Sequence, residues 1–211
     1  MLKYGEVLQE WILRYRKEWS RDDLQFLIVM LPGYGGKMDE GSEKPDAPSW
    51  AWMRESQLKA LKLQNTGVAN TIDLGDLKDV HPKDKLPLTQ RLALLAAYNT
   101  LGQNIEAQGP KMKKVKARGN SLVVYFEHAD GLKTTDGEAP AAFWLSDDSK
   151  QWLNAEAVIK GQRVVLKSTE IKKPLYVRYA FAGKPRVNLV NEVELPAYPF
   201  RTDQFAPKST K

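Results

Sequence analysis

The chain has 211 residues, 42% of them hydrophobic, with no Gly/Ser-rich tract, which is enough to bury one sizeable core or two smaller ones. Its net charge of +6 comes from lysines and arginines spread among 26 acidic residues, and the absence of cysteine excludes disulfides and thiolate metal sites. The longest apolar stretches, 26–31 and 92–98, are far too short to cross a bilayer, so no membrane partner is expected.

The first half reads as alternating helix and strand. Met1-Leu-Lys-Tyr4 shows no basic region followed by an apolar block, so no signal peptide is visible. Tyr4, Val7, Leu8, Trp11, Ile12, Tyr15 and Trp19 recur at helical spacing, with Arg14, Arg16 and Lys17 placed late, where they suit the helix dipole. A strand is predicted from Gln25 to Leu31, stopped by Pro32-Gly33. The segment from Gly35 to Pro48 is polar and loop-like, and Ser49 is placed to cap a helix carrying Trp50 to Leu63. Val68 to Leu74 reads as a second strand, and Pro87 starts a third helix in which Leu88, Leu92, Leu95 and Ala96 share a face. This order points to parallel strands with crossover helices.

From about Gly109-Pro110 the pattern changes. Short alternating segments, Met112 to Ala117, Ser121 to Phe126, Ala142 to Leu145, Arg163 to Lys167 and Leu175 to Ala180, are separated by Asp130-Gly131, Asp136-Gly137 and Lys160-Gly161 turns, which suggests an antiparallel sandwich. Trp152 to Val158 is strand-like too. The densest basic cluster, Lys111 to Lys116, falls at the head of this region and reads as a solvated strand edge. Without an aromatic-interleaved pattern beside it, no nucleic acid partner is expected.

One of the two histidines, His81, follows the second predicted strand on a loop rich in Asp and Gly, Thr71-Ile-Asp-Leu-Gly-Asp-Leu-Lys-Asp-Val-His-Pro-Lys-Asp-Lys85. Imidazole titrates near neutrality, and open α/β sheets build their sites at the carboxyl ends of strands, so His81 is a candidate general base; a loop histidine can equally be a solvated bystander. The second histidine, His128, adjoins a hairpin-like turn and is expected on the surface. Trp50 and Trp52 could stack on a sugar ring or serve as core, and Tyr34, in Pro-Gly-Tyr-Gly-Gly, could reach a cleft around a bending loop. Scattered Asp and His residues do not form metal-ligand spacing, so neither a metal nor a cofactor is expected.

The loop resembles the His-Pro segment of sialate O-acetylesterases, carbohydrate esterases of the SGNH hydrolase superfamily. Further ordered segments carry the resemblance along the chain: Phe26-Leu-Ile-Val-Met-Leu-Pro-Gly-Tyr34, Ser49-Trp-Ala-Trp-Met-Arg-Glu-Ser-Gln57, Asn65-Thr-Gly67, Arg91-Leu-Ala-Leu94, Val177-Arg-Tyr-Ala180, Asn188-Leu189 and Leu195-Pro-Ala-Tyr-Pro-Phe-Arg-Thr202. It implies an α/β fold, the C-terminal part of an SGNH-type (flavodoxin-like) three-layer catalytic domain over 1–108, then an antiparallel β-sandwich domain over 109–205 and a tail over 206–211.

The resemblance also implies a role for each candidate. His81 would activate a serine nucleophile that removes O-acetyl groups from sialic acid or related sugars, with Asp79 as the orienting carboxylate, Asp76 as the other local candidate, and a Ser-His dyad as a third arrangement. The position three before the histidine, where related enzymes often carry the acid, is Lys78. Tyr34, Trp50 and Trp52 become candidates for binding the sugar. None of the nine serines (20, 42, 49, 56, 121, 146, 149, 168, 209) sits in a nucleophile elbow; Gly41-Ser42 lies in a polar loop with no strand directly before it. The chain is therefore expected to be the C-terminal piece of an esterase, inactive alone, whose partner is the N-terminal half or a second copy, and periplasmic or secreted as the resemblance implies. A non-catalytic carbohydrate-binding module, marked by aromatic residues ranged on one exposed sheet face, and an inactive structural remnant stay open as alternatives.

Overall fold

A computed structural model of the chain describes residues 3–35, 45, 49–148 and 151–206. Most of the expected polar loop between Gly35 and Pro48, including Ser42, lies outside the described residues, as do Ser149 and all but the first residue of the 206–211 tail.

The fold is mixed α/β. Helix α1 (Tyr4–Glu18), strand β1 (Phe26–Val29), helix α2 (Ala51–Leu58) with a 3-10 turn over Lys59–Lys62, strand β2 (Thr66–Ala69) and helix α3 (Leu86–Asn99) follow in the predicted order. β1 and β2 pair in parallel, Phe26 opposite Thr66 through Val29 opposite Ala69. Strand β2 ends earlier than its apolar run suggests, because the Asn70 side chain leaves the ladder to donate to Pro196 and Ala197 carbonyls, and the Thr71 hydroxyl donates to the Met30 carbonyl.

Helix α1 also departs from expectation. Ile12 and Gly5 face the body of the protein, and Arg16, in the last turn where its charge suits the helix dipole, is buried too, donating to the carbonyls of Leu24, Gln64 and Asn65. Val7, Trp11 and Trp19 are exposed, at 59%, 47% and 67%.

The remaining strands are antiparallel. β3 (Lys111–Arg118), β4 (Ser121–Glu127), β9 (Arg163–Lys167) and β8 (Glu156–Ile159) form one sheet in the order β3-β4-β9-β8. β6 (Phe143–Ser146), β7 (Leu153–Asn154), β10 (Tyr176–Tyr179) and β12 (Phe200–Arg201) form a second, ordered β12-β10-β6-β7; β5 (Lys133–Thr134) pairs with β11 (Leu189–Val190). The strand-like segment Trp152 to Val158 is thus two strands in two sheets, broken at Ala155. His128 is half-buried rather than on the surface: its ring Nδ1 is 3.1 Å from the Glu106 carboxylate.

One buried cluster joins the two halves. Met30, Val68 and Ile72 pack with Leu122, Val124, Leu145, Val164 and Val177, and the Tyr198 hydroxyl donates to the Val68 carbonyl at 2.7 Å. At Gly109 a Cβ would stand 2.0 Å from the Pro196 carbonyl oxygen, so only glycine lets the chain pass this close. Buried charge ties the same seam: Arg178 makes two bonds to Asp203, at 2.8 and 2.7 Å, and Arg201 links Asp203 to Glu55 of α2.

Burial works against the Asp203 carboxylate, but the hydrogen bond and charge of Arg178, with the Phe205 N–H and Arg201, hold it below the usual carboxylate range. An unfolded aspartate titrates near ~3.9. The stabilisation from this group is therefore complete above about pH 4 and is lost as the pH falls through the lower folded-state value. Asp203→Asn leaves the buried Arg178 guanidinium without its counter-charge and should cost about 3 kcal/mol at pH 7. Urea midpoints of the two proteins should converge as the pH is lowered, and equal midpoints at pH 7 would refute the assignment.

Candidate functional site

The carboxyl ends of β1 and β2 open onto two loops that touch. The Gly33 N–H donates to the Leu74 carbonyl at 3.0 Å, and Gly75, at φ +83°, lies so near that a Cβ there would stand 2.5 Å from the Gly33 carbonyl oxygen. Arg91 of α3 grips the second loop with a two-pronged contact to Asp73, at 2.7 and 2.6 Å, and a further bond to the Asn70 carbonyl at 2.6 Å. Lys184 arrives from the β half, its Nζ donating to the Asp73 carbonyl at 3.5 Å, and burial pushes its ammonium pKa down. These anchors leave a cleft of about 300 Å³ walled by Met30, Pro32, Trp50, Leu74, Leu88 and the His81 loop. Its size and apolar walls suit a small ligand or one sugar residue.

His81 stands at the rim, its side chain 84% exposed. Two aspartates shape the approach to it. Asp76 Oδ1 accepts the Lys78 and Asp79 N–H groups, each at 2.7 Å, so this carboxylate is spent on the turn, and those backbone bonds lower its pKa. Asp79 Oδ1 accepts the His81 N–H at 2.8 Å and lies 3.3 Å from the ring Nδ1. With the ring proton on Nδ1 held by Asp79, Nε2 carries the lone pair and is open to solvent and a proton donor. Asp79 thus reaches the ring despite lying only two residues away.

The other candidates divide. Tyr34 and Trp50 come together, with ring centroids 4.9 Å apart, and Trp50 lines the His81 cleft. Trp52 is 1% exposed: Phe181 meets it edge-on at 4.9 Å, and the Arg178 and Arg201 guanidinium groups lie 5.3 and 4.7 Å from its ring. It is packed at the seam and does not line the cleft. Among the described residues no serine hydroxyl pairs with His81. Ser49 Oγ accepts the Ala51 N–H, Ser56 Oγ accepts the Gly5 N–H, and Ser168 Oγ accepts the Glu170 and Ile171 N–H groups. Among the described residues, too, no group of three or more potential ligands is placed to hold a metal ion.

Asn70, Asp73, Arg91 and Lys184 support the site without having been picked out as candidates. They come from three separate parts of the chain, so no local spacing marks them; the signal available was that Asp73 and Arg91 each lie in one of the motif segments.

No family model and no curated protein matches the chain. Among solved structures, it is similar to a carbohydrate acetylesterase from Xanthomonas citri, with a TM-score of 0.89 and 34% sequence identity over 97% of this chain and 47% of that one. The chain spans about half the length of this solved protein.

Because His81 is exposed and its bonds are local, His81→Ala should shift folding stability by no more than about 0.5 kcal/mol. A thermal melt measures this directly, and a loss several times larger would make the residue a structural one.

Proposed function

We propose that this chain is the histidine-bearing part of a serine carbohydrate esterase that removes O-acetyl groups from sugars, sialic acid or a related sugar among them. The observation that carries the reading is the His81–Asp79 pair at the mouth of a cleft beyond the carboxyl ends of parallel strands; the likeness to a carbohydrate acetylesterase supports the substrate class. In this reading residues 1–108 are the C-terminal part of an SGNH-type catalytic domain, and residues 109–205 form a β-sandwich domain that backs it.

His81 Nε2 takes the proton of a serine hydroxyl supplied by polypeptide outside the described residues, and the serine oxygen attacks the acetyl carbonyl. The imidazolium, held by Asp79, then protonates the departing sugar oxygen. Water, deprotonated by the same nitrogen, attacks the acetyl-enzyme and releases acetate. Tyr34 and Trp50 offer the sugar an aromatic wall, while Trp52 holds the start of α2 against the β half.

In this reading the nucleophile-bearing polypeptide docks at the open edge of β1. β1 has β2 on one side and, among the described residues, no strand on the other, where the Gln57 side chain caps the Val29 carbonyl and the Leu31 N–H at the strand's end. Beside that edge the exposed face of α1 continues into an aromatic cluster, with Trp11 4.4 Å from Tyr15 and 5.7 Å from Phe26. Parallel sheets are ordinarily covered on both faces, and an apolar face of this kind favours a partner segment or a second copy.

Alone, the chain should hydrolyse p-nitrophenyl acetate negligibly, since base, nucleophile and oxyanion donors act as a unit. Combined with a serine-bearing partner polypeptide it should release acetate from O-acetylated sugars, with His81→Ala slowing release at least ~100-fold and Asp79→Asn less. Undiminished release by His81→Ala would remove the assignment. Separately, light scattering should find the isolated chain self-associated, with apolar dye bound; a strict monomer at high concentration that binds no dye would count against the docking face.

A further inference from the structure

The outer face of the sheet β3-β4-β9-β8 carries positive charge that the fold leaves unused. In the register of this sheet Lys114 lies opposite Tyr125, and Tyr125 lies opposite Arg163, so the three form one row across three neighbouring strands. Both cations stand over the same ring, the Lys114 Nζ 5.3 Å and the Arg163 Cζ 6.0 Å from its centroid. An irregularity of β3 between Met112 and Lys114 sets Lys113 beside them, and the Lys160-Gly161 turn, with Gly161 at φ +61°, brings Lys160 to the same place. Together they line an open depression of about 600 Å³.

Neighbouring charges are already matched. Lys111 pairs with Glu127 at 3.3 Å, and Asp130 accepts a hydrogen bond from Gln162. Among the described residues Lys113, Lys114, Lys160 and Arg163 have no carboxylate within salt-bridge distance. Like charges gathered over one face of the sheet repel, and a bound anion would offset that cost.

We propose that this depression binds a carboxylate-bearing polysaccharide, with uronate groups seated between Lys114 and Arg163 and reached by Lys113 and Lys160 from the rim. The choice of a sugar carrier over another polyanion rests on the esterase reading; the anion site itself rests on the four unmatched cations. The surface suits this occupant better than nucleic acid. Tyr125 is the one aromatic residue in the four strands' outer row, and cations occupy it, so no series of rings is free to stack on bases.

Affinity electrophoresis of the full chain through gels containing polygalacturonate tests this, with dextran as the neutral control. Polygalacturonate should retard the protein, dextran should not, and the retardation should fall steeply between about 20 and about 200 mM salt. Lys114→Gln combined with Arg163→Gln, checked for an unchanged melting curve, should weaken the interaction at least about ten-fold, whereas His81→Ala should leave it intact. Equal retardation of the double variant, no retardation of the wild type, or tighter binding of duplex DNA or anionic vesicles through the same two residues would overturn the proposal. Polygalacturonate binding by the chain, with no acetate released from O-acetylated sugars once the serine-bearing partner polypeptide is added, would defeat the esterase reading alone; acetate release by that pair without polygalacturonate binding would defeat this one alone.

Discussion

The guanidinium of Arg178 is buried between the helical half and the β half, and the geometry of the site follows from how that charge is satisfied. Asp203 takes it with two bonds, and Trp152, Trp52 and Phe181 surround it at 4.4 to 5.3 Å. Arg201 passes the same carboxylate on to Glu55 of α2. The residue before Glu55, Arg54, donates to the carbonyls of Pro32, Ala182 and Gly183. A buried charge tolerates no slack, because losing any partner leaves it facing a low dielectric. The start of α2, the exit of β1 at Pro32 and the β half are thereby held in one register. Trp50 and the wall of the His81 cleft sit on those segments.

This arrangement explains what the sequence revealed and what it hid. The alternation of helix and strand was legible because apolar spacing is a local property, and the strand Arg163–Lys167 falls where its alternation predicts. The end of β2 was not legible: Val68 to Leu74 is apolar enough for a strand, yet Asn70 and Thr71 turn the chain by bonding to Pro196, Ala197 and Met30, which lie far away in sequence. The burial of Arg16 and the choice between core and sugar contact for Trp52 were hidden for a similar reason. A cation at a helix end ordinarily prefers water, but this one meets three carbonyls, that of Leu24 just before β1 and those of Gln64 and Asn65 just before β2. A tryptophan near a helix start gives no sign that two arginines from the C-terminal strands will cover its ring.

At the site itself the readable part was the histidine and its neighbouring acids. Choosing between Asp76 and Asp79 needed geometry, since both precede His81 on one loop and differ only in which N–H groups reach them. Asp76 is occupied by two backbone bonds, and Asp79 combines a backbone bond to His81 with proximity to the ring. The Asp73–Arg91 clamp and Lys184 stayed hidden because spacing along the chain says nothing about contacts between loops.

His81 at 84% exposure has consequences for the proposed chemistry. In bulk water a 3.3 Å contact with Asp79 orients an imidazole only weakly, and an oxyanion gains little from dipoles that water screens. An efficient esterase needs that rim covered. Val29 stands at the meeting point: it is the last residue of β1, it is exposed, and it lines the His81 cleft. A segment that, in the proposed assembly, pairs with the open side of β1, up to where Gln57 caps Val29, and covers the aromatic face of α1 would also lie over the cleft. In the proposed assembly one docking event would supply the nucleophile, bury the apolar face and take His81 out of water, so activity and association would arise together.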